Sequence, residues 1–384
     1  MKSLSDAVLN SKKSSIRKLF ELFLKSTDAI SLGIGQPDFQ TPDNIMNGIR
    51  KGLDDQKTMY PPALGIQELR EVVAEKFRKE NKMGWVKPEN VMITNGGSQA
   101  IALTFASITN PGDEILINSP NFLSYFFIPS YYHTNLVEVP RNADYSVNFE
   151  EMEKNVTPKT KLLIINSPNN PTGYVMTRDE IEKIVGFVIE HDLYLLSDEV
   201  YEKYLYNGRK CHSPASLGGV EDRIITINSI SKTFSATGLR VGFLAAPANI
   251  IPLMEKYAQY TAAGVSHPVQ YGALEGIKHG NPRMEEIIKN YDERRQFSLK
   301  RLHEMDIECA MPHGAFYLMP TIKKYMESGD KFSEQLFEKQ KVAVVGGTAF
   351  GAYSEDKIRI SYATTKENLE KAFERIELFI KGIK

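Results

Sequence analysis

Three polar clusters each stand directly after a short apolar run. Asn166-Ser167-Pro168-Asn169-Asn170-Pro171-Thr172-Gly173 follows residues 161–166, Asp198-Glu199-Val200-Tyr201 follows 193–197, and Ser229-Ile230-Ser231-Lys232 follows 223–228. Between them they offer an amide, a carboxylate, a phenol, hydroxyls and an amine. A fourth loop, Asn95-Gly96-Gly97-Ser98-Gln99, follows the run 91–94 and opens a helical pattern. A glycine-rich turn at a helix start leaves backbone N–H groups pointing outward, which suits an anion. Each feature alone has a plainer reading: Asn-Pro-Thr-Gly as a turn, Asp198 as a helix cap, Lys232 as a loop lysine, Gly96-Gly97 as tight packing. Those readings do not predict that all four sit at the carboxyl ends of strands, where open α/β sheets bind ligands. Asn170 precedes Asp198 by 28 residues, Asp198 precedes Lys232 by 34, and Lys232 precedes Arg240 by 8.

The elements that must position these groups are legible in the apolar pattern. Short runs at 91–94, 114–118, 136–139, 161–166, 193–197, 223–228 and 241–246 read as seven strands, with helical segments such as 98–108 and 178–191 between them. Such alternation predicts an α/β domain with a mostly parallel seven-stranded sheet covered by helices. The link from 228 to 241 is about the minimum for a parallel crossover, so the last strand is expected to run antiparallel. Residues 66–80 read as an amphipathic helix, and 15–25 as another with Ser15 as its cap. From 283 the texture changes to helices at 283–305, 330–340 and 366–381, with short strands near 314–319, 342–345 and 357–361. We therefore expect a large domain over 45–282 and a smaller α+β domain from 1–44 and 283–384.

Composition narrows the partners. Of 384 residues, 47 are Lys or Arg and 48 are Asp or Glu, a formal net charge of −1. That balance gives no support for a nucleic-acid or anionic-membrane partner. No stretch approaches the ~18 apolar residues of a membrane span, and no apolar leader follows Met1. Cys211 and Cys309 form neither a disulfide framework nor a zinc spacing. The expectation is a cytoplasmic protein that holds no metal, and the sequon Asn155-Val156-Thr157 is read as chance.

The ordered set resembles the class I, fold-type-I pyridoxal-phosphate aminotransferases. The matching stretches are SLGIGQPDF, YPPALGIQELR, NGGSQA, NSPNNPTG, SDEVY, SISKTFSATGLRVGF, HGAFY and RISYA, spread from Ile30 to Ala363. IRKLF, VAVVGGTAFG and IRISYAT are similar to the archaeal aromatic or broad-specificity members. The resemblance implies that Lys232 forms the Schiff base with pyridoxal 5'-phosphate and shuttles the proton, a task suited to lysine because its pKa falls near cations and on desolvation. It implies that Asp198 pairs with the pyridine nitrogen and that Asn170 and Tyr201 bond the ring hydroxyl oxygen. Ser229, Arg240 and the backbone of Gly97, Ser98 and Gln99 would hold the phosphate, and Phe122 would stack on the ring. Tyr60 would reach the phosphate of the neighbouring subunit, which implies a homodimer with shared sites. Arg359, with Asn170 and the Gly35 backbone, would bind the substrate carboxylate.

The implied reaction is a ping-pong transfer of an amino group from an L-amino acid to a 2-oxo acid, with 2-oxoglutarate as acceptor. Aspartate-specialised members carry a second cation, either a lysine where this chain has Ser98 or an arginine after Arg240. No arginine occurs between Arg240 and Arg283. Phe39, Tyr60, Phe122, Tyr125 and Phe350 could instead offer aromatic surface, which favours large neutral donors; Lys256 keeps an aspartate aminotransferase open, and a C–S lyase shares the same residues. Tyr125 is read as packing. A Ser-Lys hydrolase is disfavoured, because Ser229-x-x-Lys232 lacks its SDN and KTG companions. A regulator would need a DNA-binding domain for which too little chain precedes residue 30. Gly33-x-Gly35 is cut short as a dinucleotide loop by Pro37.

Overall fold

The computed structural model describes residues 5–9, 26 and 28–383. The helix expected over 15–25 and its Ser15 cap lie outside the described residues. The first described strand, β1 (Ile30–Ser31), pairs with a partner late in the chain. The next seven are β2 (Val91–Thr94), β3 (Glu114–Ser119), β4 (Asn135–Pro140), β5 (Thr160–Asn166), β6 (Tyr194–Asp198), β7 (Ile224–Ser229) and β8 (Gly242–Ala245). They form one sheet in the order β2-β8-β7-β6-β5-β3-β4. β8 runs antiparallel to both neighbours and the remaining pairs are parallel, so the reversal expected for the last strand is present.

A strand in a parallel sheet has helices on both faces, so its residues bury whichever way they point. On β5, Leu163 and Ile165 join one apolar cluster while Leu162 and Ile164 join the cluster on the other face. Helices cover both faces by their apolar stripes. Gln67–Lys79 turns Leu69, Val73, Ala74 and Phe77 inward, and Phe77 meets Phe243 of β8 edge-on at 5.6 Å. Arg178–Glu190 starts at a capping box in which the Thr177 hydroxyl accepts from the Glu180 N–H and the Glu180 carboxylate accepts from the Thr177 N–H.

The later strands are β9 (Tyr317–Leu318), β10 (Val342–Ala343), β11 (Val345–Gly346) and β12 (Ile358–Ser361). The apolar run read as one strand over 342–345 is divided between two sheets. β10 lies parallel to β1, with Ile30 opposite Val342, and β11 lies antiparallel to β12, with Val345 opposite Arg359. The strand expected over 314–319 contracts to Tyr317–Leu318, because Gly314 makes only an isolated bridge to Leu205. Helices Met284–Glu304, Gly329–Gln340 and Lys366–Lys381 pack here. They share a core that includes Ile30, Leu32, Phe332 and Phe373 and draws in Tyr201, Tyr204 and Tyr206 from the loop after β6.

One close approach sets the geometry at the carboxyl edge of the sheet. Gly242 of β8 lies so near the start of helix Gly96–Ile108 that a Cβ there would sit 2.6 Å from the Gly96 carbonyl carbon. Gly242→Ala is therefore expected to lower stability by ~1–3 kcal/mol, the usual cost of overpacking. Gly186, exposed inside helix Arg178–Glu190, has nothing within 4 Å of its virtual Cβ. Gly186→Ala should raise stability by ~0.5–1 kcal/mol. Urea midpoints read both; equal effects of the two substitutions would contradict the packing argument.

Candidate active site

The carboxyl ends of β5, β6 and β7 and the N-terminus of helix Gly96–Ile108 open onto one cavity of about 550 Å³. Its lining includes Gly35, Gly97, Ser98, Phe122, Asn170, Asp198, Tyr201, Ser229, Lys232, Arg240 and Arg359. Two residues singled out in the sequence are not part of it. The Gln99 side chain turns back to accept from the Asn95 N–H at 2.6 Å, closing the turn before the helix. Tyr60 is 88% exposed on the surface of the chain.

Lys232 sits on a one-turn helix, Ile230–Thr233, capped by the Ser229 hydroxyl, which accepts from the Ser231 N–H. Its Nζ donates to the Gly35 carbonyl at 2.6 Å and lies 5.6 Å from the centre of the Tyr201 ring. It makes no ion pair with a described carboxylate. Burial, Arg359 and Arg240 together pull the ammonium down to about 8, against a weaker opposing pull from Asp198. This fits the general rule that desolvation and neighbouring cations free the amine.

Asp198 ends β6 and is buried. Its Oδ1 accepts from the Val200 N–H at 3.1 Å and its Oδ2 accepts a short bond from the Tyr125 hydroxyl. Burial pushes the carboxyl up, while the Tyr125 and Val200 bonds and Lys232 hold it back. Tyr125 is thus more than packing: fully buried, it meets Phe122 edge-on at 5.7 Å and orients the acid. Sequence reasoning passed over it because the helix Ser124–Tyr131 is rich in aromatics, and one phenol among them carries no distinguishing mark.

Arg359 on β12 is 1% exposed and has no ion pair with a described residue. Nη1 donates to Asn170 Oδ1 at 3.0 Å and Nη2 to the Gly33 carbonyl at 2.5 Å. The guanidinium lies between two rings, 4.6 Å from the centre of Tyr317 and 4.9 Å from that of Phe350. Its Nε has no hydrogen-bond partner. Asn170 is itself fixed through its N–H, which donates to Asn166 Oδ1 at 2.8 Å.

Arg240 lies on the rim, in the left-handed region at φ 55°, with Nη1 donating to the Thr237 carbonyl at 2.8 Å. Its guanidinium lies against Gly96, where any Cβ would strike it. An arginine, the Ser229 hydroxyl and the first N–H groups of a 13-residue helix therefore face the same end of the cavity. That is the donor set an oxyanion needs. The apolar walls are Ile34, Ile101, Phe122, Leu123 and Val200. Phe39, Tyr125 and Phe350, considered above as lining, are committed elsewhere: Phe39 packs on Tyr291 at 5.5 Å, Tyr125 stands behind Asp198, and Phe350 lies against Arg359. Tyr317, which ends the HGAFY stretch and is given no role of its own there, does line the cavity.

The arrangement holds an amine whose basicity is pulled down to about 8, a buried acid and two separated arginines. Because the free amine is the reactive form, its modification must rise as pH passes the group's own pKa. Reductive methylation by formaldehyde of ligand-free protein, read by peptide mass analysis, is expected to reach half its plateau near pH 8 at Lys232. Exposed lysines should follow near pH ~10.4. A Lys232 midpoint no lower than theirs would overturn the depressed basicity.

Residues 27–376 match the model of the family described as aminotransferase class I and II. The chain is 44% identical to an aromatic-amino-acid aminotransferase 2 of Thermococcus litoralis, over 99% of this chain and 98% of that one. It is 43% identical to an aspartate aminotransferase of Pyrococcus abyssi, over 95% of each. The crystal structure of an aromatic aminotransferase from Pyrococcus horikoshii superposes with a TM-score of 0.89 at 42% identity, covering 96% of this chain and 99% of that one. A family match across nearly the whole chain, relatives far above 30% identity and a shared fold agree, and the chain belongs to the class I and II aminotransferases.

Proposed function

We propose that the chain is a pyridoxal-phosphate-dependent aminotransferase that passes the amino group of an L-amino acid with a large neutral side chain to 2-oxoglutarate in two ping-pong half-reactions. The observation that carries this reading is an unpaired amine held in one cleft with a buried carboxylate and two separated arginines, Arg240 and Arg359. The residues fit the cofactor. The rim set of Arg240, Ser229 and the Gly97–Ser98 backbone suits a phosphate, Asp198 suits a protonated ring nitrogen, and Lys232 suits an aldehyde. Asn170 and Tyr201 would bond the ring hydroxyl oxygen, and Phe122 would cover a ring face. When bound, such a cofactor supplies an electron sink for the bond electrons released at the substrate α-carbon.

The protein's own part is positioning and proton transfer. Arg359 has two N–H groups committed and its charge uncompensated by a described acid, so a substrate carboxylate would find a strong partner there. Asn170, already bonded to Arg359, would help to orient that carboxylate. With its basicity lowered toward neutrality, Lys232 is able to take a proton from the α-carbon and return it. Asp198, oriented by the Tyr125 hydroxyl and the Val200 N–H, would hold the proton on the ring nitrogen.

The donor preference rests on the lining. Among described residues the cavity's cations are Lys232, Arg240 and Arg359, and Lys256 is not among the lining. A donor's distal carboxylate would thus have no cation of its own in this chain, whereas the apolar walls suit an aromatic or aliphatic side chain. The P. abyssi relative's name favours aspartate as a second reading. We further propose a homodimer in which Tyr60 completes the partner's phosphate site; its near-complete exposure in one chain supports this. The reading takes residues 45–282 as the cofactor-binding domain and 1–44 with 283–384 as a smaller one, supported by the separate apolar core of the later elements. Two free cysteines support a cytoplasmic setting.

Protein reconstituted with pyridoxal phosphate should turn yellow, and L-phenylalanine should bleach the visible band. Protein that takes up no cofactor would refute the reading. The kcat/KM for phenylalanine and tyrosine should exceed that for aspartate, and the reverse order would establish the second reading instead. Arg359→Ala should raise the KM for the amino donor by roughly 10- to 150-fold, the loss of a charge-assisted hydrogen bond. An unchanged KM would remove Arg359 from the site.

A further inference from the structure

The two tyrosines of the cleft are joined to each other. The Tyr201 and Tyr317 hydroxyl oxygens are 2.8 Å apart, with both side chains buried. Tyr201 comes from the loop after β6 and Tyr317 from β9, so the bond crosses between the large sheet's edge and the later elements. Three further contacts converge on Tyr317. Its ring lies 4.6 Å from the Arg359 guanidinium. It stands edge-on to the Tyr201 ring, at 81° and 5.7 Å. Its hydroxyl packs under Gly35, where a side chain would collide with it, and the Gly35 carbonyl takes the Lys232 ammonium.

Only one proton can lie between two phenol oxygens. If Tyr201 donates to Tyr317, Tyr201 has no proton left for anything in the cleft. If Tyr317 donates, the Tyr201 proton is free to point at a ligand, and the incoming bond strengthens it as a donor. Burial pushes both phenols up, Tyr201 the further of the two, and Arg359 pulls both the other way. The Arg359 guanidinium lies against the ring of Tyr317 and, among the described contacts, against no face of Tyr201, so its charge acts most directly on the Tyr317 hydroxyl and favours Tyr317 as the donor of the pair. The other charged or titratable groups facing the pair are Lys232, Asp198, Tyr125 and Tyr204.

We infer that Tyr317 is a positioning residue that relays the charge state of Arg359 to Tyr201, so that a carboxylate arriving at Arg359 weakens the hydrogen bond Tyr201 makes inside the cleft. The inference rests on the cofactor-binding reading above. The steps are electrostatic. Unpaired Arg359 draws electron density from the Tyr317 ring against which it lies and sharpens its hydroxyl as a donor. A bound carboxylate cancels most of that field, Tyr317 donates less strongly, and Tyr201 follows. At the cofactor's hydroxyl oxygen, a weaker donor means less stabilisation of negative charge and hence a higher proton affinity. Substrate docking would thus raise the basicity of the reacting centre without moving an element of the fold.

The test uses holoenzyme and follows the pH midpoint of the cofactor's visible band, with and without 3-phenylpropanoate, a carboxylate with no amino group to transfer. Tyr317→Phe should raise the midpoint by about half to one pH unit, the worth of one hydrogen bond. The further rise produced by 3-phenylpropanoate should shrink in that variant. The double variant Tyr201→Phe/Tyr317→Phe should match Tyr201→Phe alone, because Tyr317 acts only through Tyr201. A midpoint unmoved by Tyr317→Phe, or effects that simply add in the double variant, would overturn the relay. To separate this from a packing defect, 3-fluorotyrosine at position 317 keeps the volume and makes the phenol a better donor, so it should lower the midpoint. A cofactor-free arm reads the fluorine resonance of that protein on adding 3-phenylpropanoate. A resonance that stays put overturns the relay whatever the cofactor does, whereas failure to take up pyridoxal phosphate overturns the function proposed above and leaves the fluorine result to decide the relay.

Discussion

A buried guanidinium with no acid beside it among the described residues is the constraint around which the cleft is arranged. Placing an unpaired ion in a protein interior costs several kcal/mol even after relaxation. Arg359 is held there by the Asn170 amide, the Gly33 carbonyl and the faces of Tyr317 and Phe350. Each support comes from a different part of the chain, so the requirement to stabilise one charge ties the loop after β5, the loop after β1, β9 and the turn at Phe350 into one arrangement. The same charge reaches Lys232, where together with burial and Arg240 it pulls the amine down to about 8. An acid beside Arg359 would compensate that charge and return basicity to the amine.

The division of the apolar run at 342–346 follows from that requirement. Val342 and Ala343 extend a pair with β1, which anchors the chain just before the Gly33–Gly35 loop. Val345 and Gly346 then turn to face β12 and set Arg359 in register opposite Val345. A single continuous strand could pair on both edges, as β8 does, but only within one sheet, whereas β1 and β12 belong to two. The break lets one short stretch fix both the carbonyl that accepts from Arg359 and the strand that bears it.

What could be read from the sequence follows the physics of each element. The large sheet was legible because strands buried on both faces leave unbroken apolar runs, and each polar cluster marks where such a run stops. Lys232, Asp198, Asn170 and Arg240 stood out as polar groups at those stops. Tyr125 and Tyr317 did not, since a phenol among aromatics looks like core until its hydroxyl partner is known, and the partners are 73 and 116 residues away. The paired helices Asp43–Asp54 and His267–His279 escaped for another reason. They meet through Gly48 and Gly272, where Cβ atoms would come within 2.6 Å of Tyr271 O and 2.8 Å of Ile45 O, so close backbone approach stands in for part of an apolar stripe.

If the cleft takes a phosphate and a carboxylate, it also separates two tasks that a single cluster of cations would confuse. A phosphate and a carboxylate both seek arginine, and a site with Arg240 and Arg359 side by side would bind either ligand in either place. Here one arginine is exposed on the rim beside a helix N-terminus, and the other is buried between rings beneath a loop. The first is reinforced by backbone N–H groups that suit a tetrahedral oxyanion. The second offers a fork in a narrow slot that suits a planar one. Lys232 feels both charges, so its proton affinity depends on which of the two sites is filled. An anion on the rim site alone would return part of the amine's basicity, and one at Arg359 would return more, since Arg359 weighs more heavily on it than Arg240 does.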